Sequence, residues 1–433
     1  VPEALTSFCF VHAADLHLDT PFHGIHDLAP EVGEALREAS LDAFDSIVDV
    51  AISREAAFVV LAGDIYDGEV RGLRAQLRFR DGLRRLSEHG IATFVVHGNH
   101  DPVETGWSAI GSWPELVTVF ASDAVDVVPV RRDGEVIATV QGISYPTREV
   151  TENLARRFSR PDTPAFHVGV LHCNVQGTAD GYANYSPCSI EDLRATGLDY
   201  LALGHIHQRR VLAGREGYRD PFIVYPGNSQ ARSPRSSERE AKGAYVVHIE
   251  QGVVERLEFV ACDRVRFVDI ECALESITDV GDLEDRLCDL GREALQDADG
   301  RSVVVRARLV GRGPLHADLA RVGYGDELLR RLRELSPSYA PFLWWDEVID
   351  ESLAERDLDA LSSRGDFASD LLNLARSVCV DPDELSDLRD RLVDEAPKML
   401  QADVMKILED DETLARMIDR ARLVALDQLG DDR

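Results

Sequence analysis

The chain has 433 residues, 47 Lys and Arg against 78 Asp and Glu, a formal net charge of −31 and an apolar fraction of 44%. That length holds two or three domains with ample core, and the composition excludes a disordered chain. Cys9, Cys173, Cys188, Cys262, Cys272, Cys288 and Cys379 are scattered and form no CxxC, which excludes a disulfide scaffold or thiolate zinc site and suits a reducing cytoplasm.

Apolar runs rich in β-branched residues alternate with helical patterns as far as about residue 260. Residues 8–13 read as a strand, and Leu36, Phe44, Ile47, Val48, Ala51 and Ile52 recur at helical spacing. A buried strand at 57–62, a helix at 71–89 and a strand at 93–97 follow. Residues 117–120, 125–130 and 136–143 read as shorter strands, and 167–171 and 200–203 as buried ones. Residues 222–225, 244–249 and 253–260 close the region as hairpin-like strands. This pattern predicts an α/β layered domain with covered sheets over 1–262. From about 264 the texture changes: a strand at 266–271, an amphipathic helix at 281–296 and a strand at 302–310 predict a small second domain over 263–350. A helix at 326–335 and a strand at 342–349 complete it. Residues 351–433 are polar, charged and helical in pattern. Leu371, Leu372, Leu374, Leu385, Leu388 and Leu392 there could dock on a partner helix or pack back on the chain. The longest unbroken apolar run, 56–62, is far short of a membrane span, and an early His and Asp replace the pattern of a signal sequence.

Five segments share one grammar, in which an apolar strand runs straight into metal-ligand residue types. They are Asp15-Leu-His17, Gly63-Asp64-Ile-Tyr-Asp67, Gly98-Asn99-His100-Asp101, the single His172, and Gly204-His205-Ile-His207. Loops at the carboxyl ends of sheet strands are where α/β folds place their sites. Each motif alone is weak, and a lone DxH or HxH is more often a surface turn. His12 and His97 lie within strands and read as core residues.

Taken together and in this order, the motifs resemble the calcineurin-like metallophosphoesterases. The resemblance implies a four-layered αββα sandwich with a two-metal centre. Asp15, His17 and His207 would hold one ion, Asn99, His172 and His205 the other, and Asp64 would bridge them. That mixture of imidazole, carboxylate and carboxamide suits divalent ions with open positions, with Mn²⁺ the natural candidate. His100, beside the ligands, is then the best general acid for the leaving oxygen, with Asp67 or Asp101 to orient it. Asp101 also reads as a turn-stabilising residue.

Within that superfamily the opening Ala13-Ala-Asp15-Leu-His17-Leu-Asp19 is similar to the SbcD-type DNA repair nucleases. Tyr225-Pro-Gly-Asn228-Ser-Gln-Ala-Arg232, with the Arg/Ser-rich stretch and Lys242-Gly243 after it, is similar to their YhaO branch. The resemblance implies a nuclease acting on DNA ends, a capping domain after residue 263, an SbcC-like SMC-type ATPase as partner, and pairing of two copies. Some relatives have His where this chain has Asp67, which leaves the balance of exonuclease and endonuclease action open.

Two Arg clusters bear on substrate. Arg71, Arg74, Arg78 and Arg85 fall within about 60° on one helix face, able to meet phosphate, a second copy or solvent. Arg232, Arg235, Arg239 and Lys242 lie on a loop and are expected to contact substrate or DNA. Trp344-Trp345 reads as a packed joint rather than a base-stacking platform. Against DNA stands the overall acidity, since Arg supplies nearly all the positive charge and only Lys242, Lys398 and Lys406 are lysines. The alternatives are a phosphodiesterase for a small or nucleotide phosphoester, and a scaffold protein with a vestigial site.

Overall fold

The computed structural model describes residues 7–20, 30–68, 72–104, 110–177, 183–337, 341–354, 358–397, 401, 404–405, 408 and 410–428. Two six-stranded sheets carry the first part of the chain. The first is built from β1 (Phe8–Ala13), β2 (Phe58–Ala62), β3 (Ala92–Val96), β4 (Val117–Val119), β11 (Gly243–Glu250) and β12 (Val253–Ala261), in the order β12-β11-β1-β2-β3-β4. The second contains β5 (Asp126–Arg132), β6 (Glu135–Gly142), β7 (Phe166–His172), β8 (Tyr200–Gly204), β9 (Arg210–Ala213) and β10 (Phe222–Tyr225), in the order β5-β6-β7-β8-β10-β9.

One core lies between the sheets, where Phe10, Phe58 and Phe94 of the first meet Phe166, Tyr200 and Phe222 of the second. Phe10 and Phe58 stack at 4.7 Å, and Tyr200 meets Phe10 edge-on at 5.2 Å. The outer face of the first sheet is covered by α1 (Pro30–Ser53) and α2 (Leu73–Glu88) through Phe44, Ile47, Phe79 and Leu83. The outer face of the second carries a third core that includes Leu154 and Leu193, the latter on the short helix α3 (Ile190–Ala195). The result is the four-layered αββα sandwich.

One detail differs from the pattern read in the sequence. The strand Phe222–Tyr225 does not form a hairpin with the two strands after it; it pairs in parallel with β8 in the second sheet. The chain then returns to the first sheet, where β11 lies antiparallel to β1. Alternation of apolar residues marks a strand but carries no record of which sheet it joins.

The chain forms two compact units: residues 1–268, 292–305 and 336–344, and residues 269–291, 306–335 and 345–433. A three-stranded sheet runs in the order β13 (Val265–Ala273), β14 (Ser302–Gly313), β15 (Leu343–Ala354). In the first unit Trp344 packs with Val32, Leu36 and Ala231, and Trp345 is fully buried, so neither indole is presented to a base.

In the second unit the C-terminal helices are α7 (Leu358–Ser362), α8 (Phe367–Val380), α9 (Pro382–Glu395) and α10 (Asp411–Gln428), numbered after α4 (Val280–Asp297), α5 (His316–Leu319) and α6 (Tyr324–Leu335). Leu371 and Leu372 join a cluster with Leu361 and Leu426, and Leu385 joins one with Leu408 and Leu414. Leu374 and Leu392 stay exposed. Among the described residues no helix is long and apolar enough to cross a membrane.

Candidate metal centre

Parallel pairing sets the site. The strands β1, β2 and β3 lie side by side in register, so the loops after them open at one end of the sheet. In the second sheet His172, the last residue of β7, stands level with Gly204 at the end of β8. The loops are stitched together by Asp15 N–H donating to Gly63 O, His17 N–H to Asp64 O and Leu18 N–H to Ile65 O, each at 3.0 Å. Four of the ligand-type residues sit at positive φ: Asp15 at 51°, His17 at 42°, Asp64 at 50° and His205 at 104°. Such backbone costs about 1–3 kcal/mol per residue and persists where its surroundings hold it. Glycine is needed next to them for space. A Cβ on Gly98 would lie 2.4 Å from Asp64 Oδ1, and one on Gly204 would lie 1.8 Å from Ala62 O.

The structure brings Asp15, His17 and His207 into one cluster of donor atoms, and Asp15, Asp64 and His172 into another. His17 Nε2 lies 3.2 Å from His207 Nε2 and 3.8 Å from Asp64 Oδ2. His172 Nε2 lies 3.4 Å from the same Asp64 oxygen and 3.0 Å from Asn99 Oδ1. Asp64 therefore stands between the two groups, the position a bridging ligand requires. His205 belongs to neither cluster: its Nε2 meets Ala183 O at 2.8 Å, and its backbone N–H donates to Asp15 Oδ1 at 3.0 Å.

The donor set fits divalent ions. His172 Nδ1 lies 2.9 Å from Ala62 O and donates to it, and His207 Nδ1 donates to Glu238 Oε1 at 2.8 Å. Each ring then presents an Nε2 lone pair inward, against another imidazole nitrogen or an amide or carboxylate oxygen. Acceptors converge there at distances that need a cation between them.

The electrostatics show the same tension. Burial raises Asp15 to about 6 against the pull of His172 and His207. Burial, helped by the Arg232 charge, pushes His17 down to about 3, and burial with the His172 charge pushes His205 to about 4. Burial also opposes a charged His172, but Asp64 and Asp15 lift it to about 9. Burial would raise Asp64 too, yet His172, His17 and His100 hold it well below the usual carboxylate range. An ion entering must displace the His172 proton, so its affinity falls as pH is lowered.

A third group, His17, Asp67 and His100, has donor atoms equally close together. It is not laid out for another ion, because the Arg232 guanidinium already sits on Asp67 Oδ2. The other oxygen of Asp67 lies 2.7 Å from His100 Nδ1. Burial lowers His100, but the Asp67 hydrogen bond and the Asp64 charge outweigh it and raise its pKa. Asp67 is the residue that meets this imidazole. Asp101 instead fastens the loop, accepting from Gly98 N–H at 2.8 Å and Ile65 N–H at 3.0 Å and meeting His97 Nδ1 at 2.9 Å. His12 is a core residue bonded to Tyr200 Oη at 3.0 Å.

A cleft of about 950 Å³ opens over these groups, with Asp64, Asn99, His100, Arg232 and Arg235 in its wall. Two members of the basic loop do not join them. Lys242 is buried, with its Nζ donating to His207 O at 2.7 Å and lying 3.5 Å from Glu240, so it serves the loop and not a substrate. Arg239 points its Nε at Pro234 O at 3.2 Å.

The helical Arg stripe is likewise an internal ladder. Arg74 pairs with Glu34 and Glu38, Arg78 with Asp42 and Asp45, and Arg85 with Asp49, all on α1. Arg71 lies outside the described residues. Sequence reasoning passed over Glu238, which is buried and bonded to His207. Burial alone would raise its pKa, but His207 and Lys242 hold it at about 2. Its only sequence signal is a carboxylate inside an otherwise basic loop.

Paired sheets with imidazoles and carboxylates at their strand ends define a metal-dependent phosphoesterase. Residues 9–209 match the family model for calcineurin-like phosphoesterases, and residues 267–352 match that for the middle domain of metallophosphoesterase YhaO. The chain is 35% identical to the uncharacterized metallophosphoesterase YhaO of Bacillus subtilis (strain 168), over 82% of this chain and 85% of that one. It is 27% identical to the DNA double-strand break repair protein Mre11 of Thermoplasma acidophilum, over 49% of this chain and 57% of that protein. It is 23% identical to SbcD of the nuclease SbcCD of Escherichia coli (strain K12), over 57% of this chain and 66% of that protein. The chain belongs to the YhaO family of calcineurin-like metallophosphoesterases, related to the Mre11 and SbcD nuclease proteins.

Proposed function

We propose that this metallophosphoesterase is a two-metal phosphodiesterase that cleaves DNA at ends, the nuclease subunit of a repair complex. The carrying observation is the convergence of Asp64 on both imidazole clusters, beneath a cleft whose wall holds Arg232 and Arg235. The reading of DNA is supported by the names of its relatives, a double-strand break repair protein and a component of a nuclease.

In this reading Asp15, His17 and His207 hold one ion, Asn99, His172 and His205 the other, and Asp64 both. Two such ions, with Mn²⁺ the best match to the donor set, polarise the phosphoryl group and lower the pKa of a water. His100 gives its proton to the leaving oxygen. Asp67 holds His100 Nδ1, which leaves Nε2 to carry that proton. Arg232 is kept extended by the second oxygen of Asp67 and contacts phosphate, with Arg235 beside it.

The test is direct. In Mn²⁺ the full chain should degrade a linear DNA duplex, and Arg232→Ala should raise KM more than it lowers kcat. Turnover of a nucleotide diester without action on the duplex would assign the small-substrate reading, which the net charge of −31 favours.

The proposal includes the domain division 1–262, 263–350 and 351–433, with an SMC-like ATPase docked on the last region. Leu374 and Leu392 are exposed there for such a contact. Because β15 continues to Ala354, a chain ending at that residue should still cut short DNA but lose ATP-stimulated cleavage with the partner. Co-purification of the shortened chain with the ATPase would refute the docking.

A further inference from the structure

The loop between β10 and β11 carries Arg232 and also reaches a proposed metal ligand. Buried Glu238 is the point where these two tasks meet. Its Oε1 accepts from His207 Nδ1 at 2.8 Å. Its Oε2 accepts from Asn228 Nδ2 at 2.8 Å and from the Arg232 backbone N–H at 3.3 Å, with Lys242 Nζ at 4.0 Å. Glu238 is 5% exposed, so water cannot stand in for it.

A carboxylate only accepts. Oε1 therefore fixes the proton of His207 on Nδ1 and turns the Nε2 lone pair toward His17, 3.2 Å away. Oε2 pins the main chain at Arg232, whose guanidinium then reaches Asp67. We propose that Glu238 is a positioning residue that ties ion binding at the His17–His207 position to the placement of Arg232 in the cleft. This rests on the reading of His207 as a ligand and of Arg232 as a phosphate contact.

An amide in this place cannot serve both sides. With its oxygen toward His207, its NH₂ meets Asn228 Nδ2 and the Arg232 N–H, which are donors. Turned round, its NH₂ meets His207 Nδ1 and drives the imidazole proton onto Nε2, where an ion would bind.

The experiment is a calorimetric titration of the metal-free full chain with MnCl₂, alongside phosphodiester kinetics. Glu238→Gln should weaken one of two metal equivalents by about 10–100-fold and leave the other unchanged. Asn228→Ser breaks only the Oε2 side, so it should keep both equivalents at wild-type affinity while raising KM. Wild-type affinity at both positions in folded Glu238→Gln overturns the inference. Should that variant fail to fold, an unchanged KM in Asn228→Ser overturns it instead. A His207→Ala chain that keeps both equivalents, or an Arg232→Ala chain with unchanged KM, would fault the functional reading and not the role of Glu238.

Discussion

Asp64→Ala is expected to abolish phosphodiester cleavage and to release both ions, measured by metal analysis of the dialysed protein. Every other proposed ligand serves one ion, so its loss leaves the second in place. Asp64 alone faces both, through His17 at 3.8 Å and His172 at 3.4 Å. Its removal also leaves His172 with less of the negative charge that raises its pKa to about 9, so the metal-free site reorganises as well. The fold should survive, because the strands before and after the site are held by the cores between and outside the sheets. Two retained ions with normal turnover would mean that Asp64 is not the bridge.

His100→Ala should behave differently. Its loss is expected to lower kcat by roughly 10²–10⁴ with metal content near normal, because a positioned general acid contributes about that factor. The sign of the pH effect follows from its partner. Asp67 raises the His100 pKa, so His100 keeps the proton it donates to a higher pH than an ordinary imidazole. Asp67→Asn should move the alkaline limb of the rate profile to lower pH, and His100→Ala should remove that limb. Loss of one metal equivalent in His100→Ala would make His100 a ligand instead.

How far the sequence reaches can be followed residue by residue. The layered sheets and the strand-end motifs are legible because both rest on local pattern: a buried strand has a short apolar run, and the ligand types follow it at fixed spacing. Partners far apart in the chain are harder to see. Lys242 reads as a substrate contact because four positive groups stand close together in sequence, yet the fold buries it under His207. Glu238 lies in the same loop and gains its meaning only when β10 and β11 join different sheets. The Arg ladder was within reach, since Glu34, Glu38, Asp42, Asp45 and Asp49 recur at helical spacing opposite it. Weighing them required knowing that α1 and α2 are neighbours. The positive φ of Asp15, His17, Asp64 and His205 leaves no mark in residue type beyond the flanking glycines.

The return of β11 to the first sheet has a consequence for biosynthesis. Strand β1 pairs on one side with β2 and on the other with β11, through contacts such as Phe10 with Val247 and Val11 with Val246. All of the second sheet is translated between those partners. At about 5–20 residues per second, one edge of β1 waits on the order of ten seconds or more for its neighbour. An apolar strand edge left open that long is a template for pairing with other chains. Every proposed ligand, and Glu238 with them, leaves the ribosome before Gly243 begins the strand that covers this edge. The nascent chain thus holds a full set of metal-binding side chains before it has the sheet that orients them, and closure of β11 on β1 is the event that turns one into the other.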